Sequence, residues 1–334
     1  MALLFLEGFD IYADGDDVAK KWASASLSTL TSSGRFGTKA ASASVISHIL
    51  QKNLNLGNKT TLIIGFAFYL GAGTPSYSST YPFIKIMDES DAIQVRVHMN
   101  SSFGFVVYNG AGTLLGSSAS SVYQNSRWHY FEVKTVIHDT TGSVEIRLDE
   151  ATILNLTSKD TKYGSAYADR FKLYGINGIA YNIWDDFYVD DTNFQGNVHV
   201  KTFRPDSDGN SSDFTRSTGS NDYECVDEEG SNEDTDYIYS DTLNHKSIFG
   251  ITTGALGTVS GVQVNCDCRI DQAGTRKITP ICRSNSVDYD GIESPALAAN
   301  YKYETSIWET DPDDSNPWTQ TKLEAAEFGL EITT

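Results

Sequence analysis

Apolar and polar residues alternate along Ile93-Gln94-Val95-Arg96-Val97-His98-Met99, the period-two pattern of a strand with one buried face. Related text recurs through the first half of the chain, at 60–69, 83–87, 103–108, 130–136, 143–148, 171–174 and 184–189. Clusters of Gly, Ser and Asn separate these runs. Short strands at such regular intervals, with turn residues between them, predict an antiparallel β-sandwich. One short helical turn is expected around Asp16 to Trp22, where an aspartate can cap the start and Lys20 and Lys21 suit the end.

After Val189 the text turns polar and Gly-containing, which places a boundary near 190–200 and divides the chain into 1–192 and 193–334. The second part opens on a polar stretch and then resumes strand-like text at 237–239, 247–251, 259–268, 275–282 and 301–308, as a smaller β domain would. Composition agrees with an all-β reading. Of 334 residues, 40% are hydrophobic and 12% aromatic, including 18 Tyr and 16 Phe, so a large core is within reach. No apolar run approaches the ~18 residues that cross a bilayer as a helix. The opening Met1 to Asp10 lacks a basic start and meets an acid at Glu7, so neither a secretory signal nor membrane insertion is expected.

Charge narrows the partners. The net charge is −19, from 44 acids against 25 bases. Residues 1–192 hold 19 acids and 15 bases, so most of the excess lies in the second part. Between Pro205 and Asp241 there are 12 acids and one base, Arg216. This balance argues against a nucleic-acid partner, whose phosphates would be repelled. The acidic stretch reads either as a solvated loop or as a place for a cation or a basic surface to dock. Cys225, Cys266, Cys268 and Cys282 lack the paired spacing of a zinc site and are expected as buried free thiols.

Few residues in the chain are spaced for chemistry. A sugar-cleaving sandwich needs two carboxylates facing one another across the substrate. Glu145 and Asp149 share a strand face, but Arg147 shares it too and would neutralise either. Asp185 and Asp186 are adjacent on a predicted strand and so should point to opposite faces. Six histidines are scattered singly, and neither a nucleophile elbow nor a phosphate loop occurs. No catalytic residue is assigned, and the chain is expected to be no enzyme. Asp206, Asp208, Asn210 and Asp213 are spaced as oxygen ligands of a calcium loop, though the bidentate Glu of an EF-hand is missing. The alternative is an ordinary Asp/Gly turn with no cofactor at all. Tyr77 and Tyr81, in a Ser/Thr-rich loop, are candidates for stacking on sugar rings, with Tyr163 and Tyr167 a second such pair.

Several motifs in a shared order carry a resemblance. Leu6-Glu7-Gly8-Phe9-Asp10-x-Tyr12, Lys21-Trp22 and Gly34-Arg35-Phe36-Gly37 open it. Arg127-Trp128-His129-Tyr130-Phe131-Glu132-Val133-Lys134, Thr141-Gly142-Ser143-Val144-Glu145 and Asp185-Asp186-Phe187-Tyr188-Val189 continue it. Together they resemble bacteriophage structural proteins whose first domain is a concanavalin A-like (laminin G-like) jelly roll. The second part resembles another module of phage particles, at Arg204 through Asn210, at Tyr223 through Glu228, and at Trp308 through Pro312 with Pro317-Trp318-Thr319. The resemblance implies a virion component without enzymatic activity, assembled in the host cytoplasm beside other tail or capsid proteins. A tail-associated or fibre-like appendage is the first expectation and a capsid decoration protein the second. A lectin-like protein recognising host-surface glycan is the third. Self-association into a homo-oligomer is expected with each. Trp22, Trp128 and Trp184 are expected to fill the sandwich core.

Overall fold

Strand follows strand along nearly the whole chain, as the alternating pattern predicts. The computed structural model describes residues 3–27, 29–55, 57, 59–272 and 274–334; Met1 and Ala2 at the opening lie outside them. The chain divides into two compact units, one of Asp14–Val200 with the opening segment through Asp10, the other of Lys201–Thr334 with Ile11–Ala13. Ile93–Met99 forms a strand over the predicted residues, and the predicted helical turn is a single 3₁₀ turn at Asp17–Lys20.

Among the described residues the first unit holds fifteen strands. In chain order they are β1 (Leu3–Glu7), β2 (Ser24–Ser26), β3 (Thr29–Thr31), β4 (Ala40–Ala43), β5 (Ile49–Asn53), β6 (Thr61–Leu70), β7 (Ile84–Met87) and β8 (Ile93–Met99). They continue as β9 (Phe105–Asn109), β10 (Leu114–Ser117), β11 (Trp128–Val136), β12 (Gly142–Leu148), β13 (Ala151–Lys159), β14 (Arg170–Tyr174) and β15 (Asn182–Asp190). One sheet runs β13-β12-β11-β6-β15-β4-β3, with β1 also on β15; the other runs β10-β9-β8-β7-β14-β5-β2. The two antiparallel sheets face one another as a β-sandwich. Inward residues of both sheets meet in an aromatic core, where Phe66, Phe83 and Phe105 surround Phe131 at 5.4, 5.1 and 5.1 Å between ring centroids. Each such ring, fully buried, contributes about 1.5–3 kcal/mol.

Two of the expected core tryptophans are there: Trp22 and Trp184 are both buried. Trp128 is not. It pairs with Tyr69, and the period of two puts it with Tyr130 and Glu132 on the outer face while Phe131 and Val133 point inward. Trp128 instead stacks obliquely on Tyr69, 5.8 Å between centroids.

The sequence motifs tie strands together. Glu7, at the end of β1, accepts hydrogen bonds from the backbone of Phe9 and the Trp22 indole while pairing with Lys21 at 3.2 Å. Burial lowers the Lys21 pKa, and the Glu7 charge opposes that shift. In Gly34-Arg35-Phe36-Gly37 the Arg35 guanidinium bonds to Asp186 and to the Val198 carbonyl, and its backbone N–H donates to Asp185. A side chain at Gly34 would meet the Thr38 carbonyl at 2.5 Å, so glycine is required there.

The second unit is a smaller β-sandwich. Its strands are β16 (Ser207–Ser212), β17 (Thr215–Arg216), β18 (Ile238–Tyr239), β19 (Lys246–Gly250), β20 (Val262–Cys268), β21 (Ile278–Ser284), β22 (Val287–Asp290), β23 (Lys302–Trp308) and β24 (Glu327–Ile332). A five-stranded sheet runs β16-β19-β24-β21-β22, and β20 pairs with β23 as a separate ribbon. Val262, Val264 and Trp308 of the ribbon pack on a core of Cys282, Trp318, Leu323, Ala326 and Phe328. The helix α1 (Gln320–Ala325) supplies Leu323 and is capped by the Thr319 side chain, which accepts from the Lys322 backbone.

Candidate functional site

Backbone register builds the candidate site on the outer face of the second sheet. Across five neighbouring strands, Gln51, Lys172, Lys85, Arg96 and Tyr108 are successive cross-strand partners. Ile84 and Ile86 point into the core, so Lys85 points out; Val95 and Val97 do the same for Arg96. Strands lie about 4.8 Å apart. The positive charges of Lys172, Lys85 and Arg96 therefore stand side by side, and among the described residues none of the three pairs with a carboxylate. Like charges opposite one another on a sheet are destabilising. Burial lowers the Lys85 pKa first, and the charges of Lys172 and then Arg96 lower it further. Arg96 is held by the carbonyls of Asn109 and Gly110, which orient its charge without cancelling it.

Aromatic side chains flank this row. Lys85 donates to the Tyr174 hydroxyl at 3.0 Å and lies 4.7 Å from that ring's centroid. Tyr81 meets Tyr174 edge to face at 5.6 Å. His98, on the same strand face as Arg96, is 1% exposed, with Tyr77 at 4.8 Å and Tyr108 at 5.4 Å between ring centroids. Neither ring nitrogen of His98 completes a hydrogen bond, and the Ser78 backbone is the one polar group that favours its protonated form. Burial, then the Arg96 charge, push its pKa down to about 4, so the imidazole is neutral at pH 7. The Tyr77 and Tyr108 hydroxyls interact, and Tyr77 is 52% exposed. Gln94, also on this face, holds the backbone of Tyr163 through both ends of its amide.

The sequence pointed to part of this. Tyr77 and Tyr81 both lie beside the face, though against different neighbours. The cation row was missed, because Lys85, Arg96 and Lys172 are far apart in the chain and only strand register unites them. Tyr163 edges the face through Gln94, while Tyr167 donates to Glu89.

The other predicted chemistry is dispersed. Asp206, Asp208, Asn210 and Asp213 lie on and around β16, an extended strand rather than a loop. Asp208 accepts from the Tyr223 backbone, the Asn210 backbone donates to Glu327, and Asp213 accepts from the Lys246 backbone. No group of three or more His, Cys, Asp or Glu side chains suited to a metal occurs among the described residues. Arg147 pairs with Glu145 at 2.9 Å, as their shared face requires, while Asp149 binds His129 at 2.7 Å. Asp185 and Asp186 do not diverge. A register shift in β15 and a positive φ of 51° at Asp186 turn both carboxylates toward Arg35. The four cysteines are free thiols, with Cys225, Cys266 and Cys282 buried. Among the described residues, no helix is long and apolar enough to cross a membrane.

No protein-family model matches the chain, and no curated protein matches it. Solved structures similar to it include an endo-β-1,4-glucuronan lyase from the fungus Trichoderma reesei, at TM-score 0.40 and 14% identity, over 56% of this chain and 95% of that one. The alginate lyase Aly36B is similar at 0.38 and 11%, over 57% and 98%. Lectin II from Ulex europaeus is similar at 0.37 and 10%, over 56% and 97%. At these values the likeness concerns fold alone. Two of the three are enzymes, so the expectation of a chain without enzymatic activity is corrected and not carried further.

Proposed function

We propose that this chain is a glycan-binding component exposed on a bacteriophage particle, tail-associated, and that it binds through the outer face of its second sheet. One observation carries the binding reading. A buried imidazole that makes no well-formed hydrogen bond on either nitrogen, with only the Ser78 backbone beside it, sits between two tyrosines and next to a row of cations without carboxylate partners among the described residues. Polar groups left in that state, with exposed aromatic surface alongside, suit a ligand rich in hydroxyls. Sugar rings present apolar faces that stack on tyrosine and hydroxyls that bond to imidazole. The ordered motifs of the first unit support the particle reading, with other virion proteins and further copies of the chain as partners.

A glycan array with the purified full chain tests the binding. Saturable binding is expected, and Tyr77→Ala should weaken it about three- to tenfold, the value of one aromatic contact. An array without hits sinks the reading. Mass spectrometry of purified particles tests location, with a copy number far below that of the major capsid protein expected for a tail component.

A second reading, cleavage of the bound polymer, is favoured by the contact of neutral His98 with the neighbouring rings of Tyr77 and Tyr108. Groups so placed can hand a proton to, or take one from, a sugar held against them. Shortening of the polymer chain after incubation is the expected sign. An unchanged length distribution removes this reading and leaves binding intact.

A further inference from the structure

We infer that the ligand of this face is an acidic polysaccharide, one bearing a carboxylate or sulfate at ring-length intervals; this rests on the glycan-binding reading. The chain has 44 acids to 25 bases, so a cation should find a carboxylate easily. Many do: Arg147, Arg170, Lys246 and Arg283 all pair at 3.0 Å or less. Lys172, Lys85 and Arg96 stand in one cross-strand row without such a partner among the described residues, and their mutual repulsion adds to burial in lowering the Lys85 pKa. Around the row the face carries the neutral side chains Gln51, Gln94, His98, Tyr108 and Tyr174, and one further cation, Arg170, whose charge is already met by Asp91 at 3.0 Å. A neutral glycan would leave the repulsion in place. An anion lying across the strands would relieve it, with each acid meeting one cation about every 4.8 Å.

Nucleic acid fits the row less well. A duplex carries a charge roughly every 1.7 Å over a length that would extend past three cations onto a strongly acidic protein. A polymer with one charge per sugar ring matches the row in both spacing and charge density.

The test uses the full chain against polygalacturonate, alginate and hyaluronate, each beside its carboxyl-reduced counterpart, with duplex DNA as a further probe, by calorimetry. At least one acidic polymer should bind at least tenfold more tightly than its reduced form. Its affinity should fall about tenfold or more between 50 and 200 mM salt, as neutralising about three charges implies. Lys172→Gln should weaken acidic binding and leave the melting temperature unchanged or higher, because it removes a repulsion. A second variant, Lys85→Gln, gives the same readout from the centre of the row. Equal binding to acidic and reduced polymers overturns the inference and spares glycan binding. Failure of every polymer, acidic and reduced, overturns both. DNA binding as tight as the best polysaccharide also overturns it.

Discussion

At the residue scale, the most consequential pair outside the sheet face is Asp185 with Asp186. Both are 1% exposed and share Arg35. Burial and the neighbouring Asp186 charge push Asp185 up to about 8, and burial pushes Asp186 up to about 6. The two titrate as a unit. A carboxyl whose folded pKa lies above its unfolded value of about 3.9 favours folding when protonated. That contribution is complete below about pH 4 and is lost as pH rises through the two folded values. We expect unfolding free energy to fall by about 2–4 kcal/mol between pH 5 and pH 9, read by urea denaturation. Asp185→Asn should flatten that dependence, whereas a wild-type profile that rises over this range would exclude the assignment. Strand alternation predicted divergent side chains here. It failed because the bulge in β15 breaks the period locally, and nothing in Trp-Asp-Asp-Phe-Tyr announces a bulge.

At the element scale, β6 shows how tightly the first sheet is closed on its outer side. A methyl group at Gly65 would stand 2.1 Å from the Tyr188 ring. That ring stacks on Tyr130 with centroids 6.4 Å apart, and its hydroxyl is held by Glu132. It cannot step aside cheaply. Gly65→Ala should therefore cost about 1–3 kcal/mol, visible as a lower denaturation midpoint with an unchanged slope. A midpoint within error of wild type would mean that the ring yields. Strands were legible where one face is buried, as in β12, or where an apolar run is buried on both, as in β6. They were not legible where both faces are wet or the residues are small. β13 and β16 are polar edge strands whose text reads as loop, and Ala40–Ala43 carries almost no pattern. The calcium-like spacing at Asp206 to Asp213 belongs to such an edge, where alternating Asp and Ser serve backbone pairing. Of the candidate site, the exposed tyrosines were visible beforehand. The row of cations depends on the pairing of β14 with β7 and β7 with β8, which no local window contains.

For the whole molecule, the uneven charge has its own consequence. Most of the acid excess lies after residue 192, on a small unit that holds 10 bases against 25 acids. Like charges crowded on a small body oppose its folding, and salt screens them over a Debye length of about 10 Å at 0.1 M. Raising sodium chloride from 50 mM to 500 mM should therefore raise the melting temperature in calorimetry. A fall would show that the ion pairs of this unit, such as Lys246 with Asp288 and Glu331, outweigh the repulsion. The same salt should weaken an acidic ligand on the sheet face, so stability and binding are expected to move in opposite directions.

The row Lys172–Lys85–Arg96 draws one residue from each of three strands, so its graduations are set by backbone pitch and not by side-chain length. It behaves as a ruler cut into the sheet. Substitution can erase a mark or change its sign, but no single substitution can move one mark closer to the next. Variants of this face would thus alter how many charges are counted on a ligand, while the interval at which they are counted stays constant for as long as the sheet itself persists.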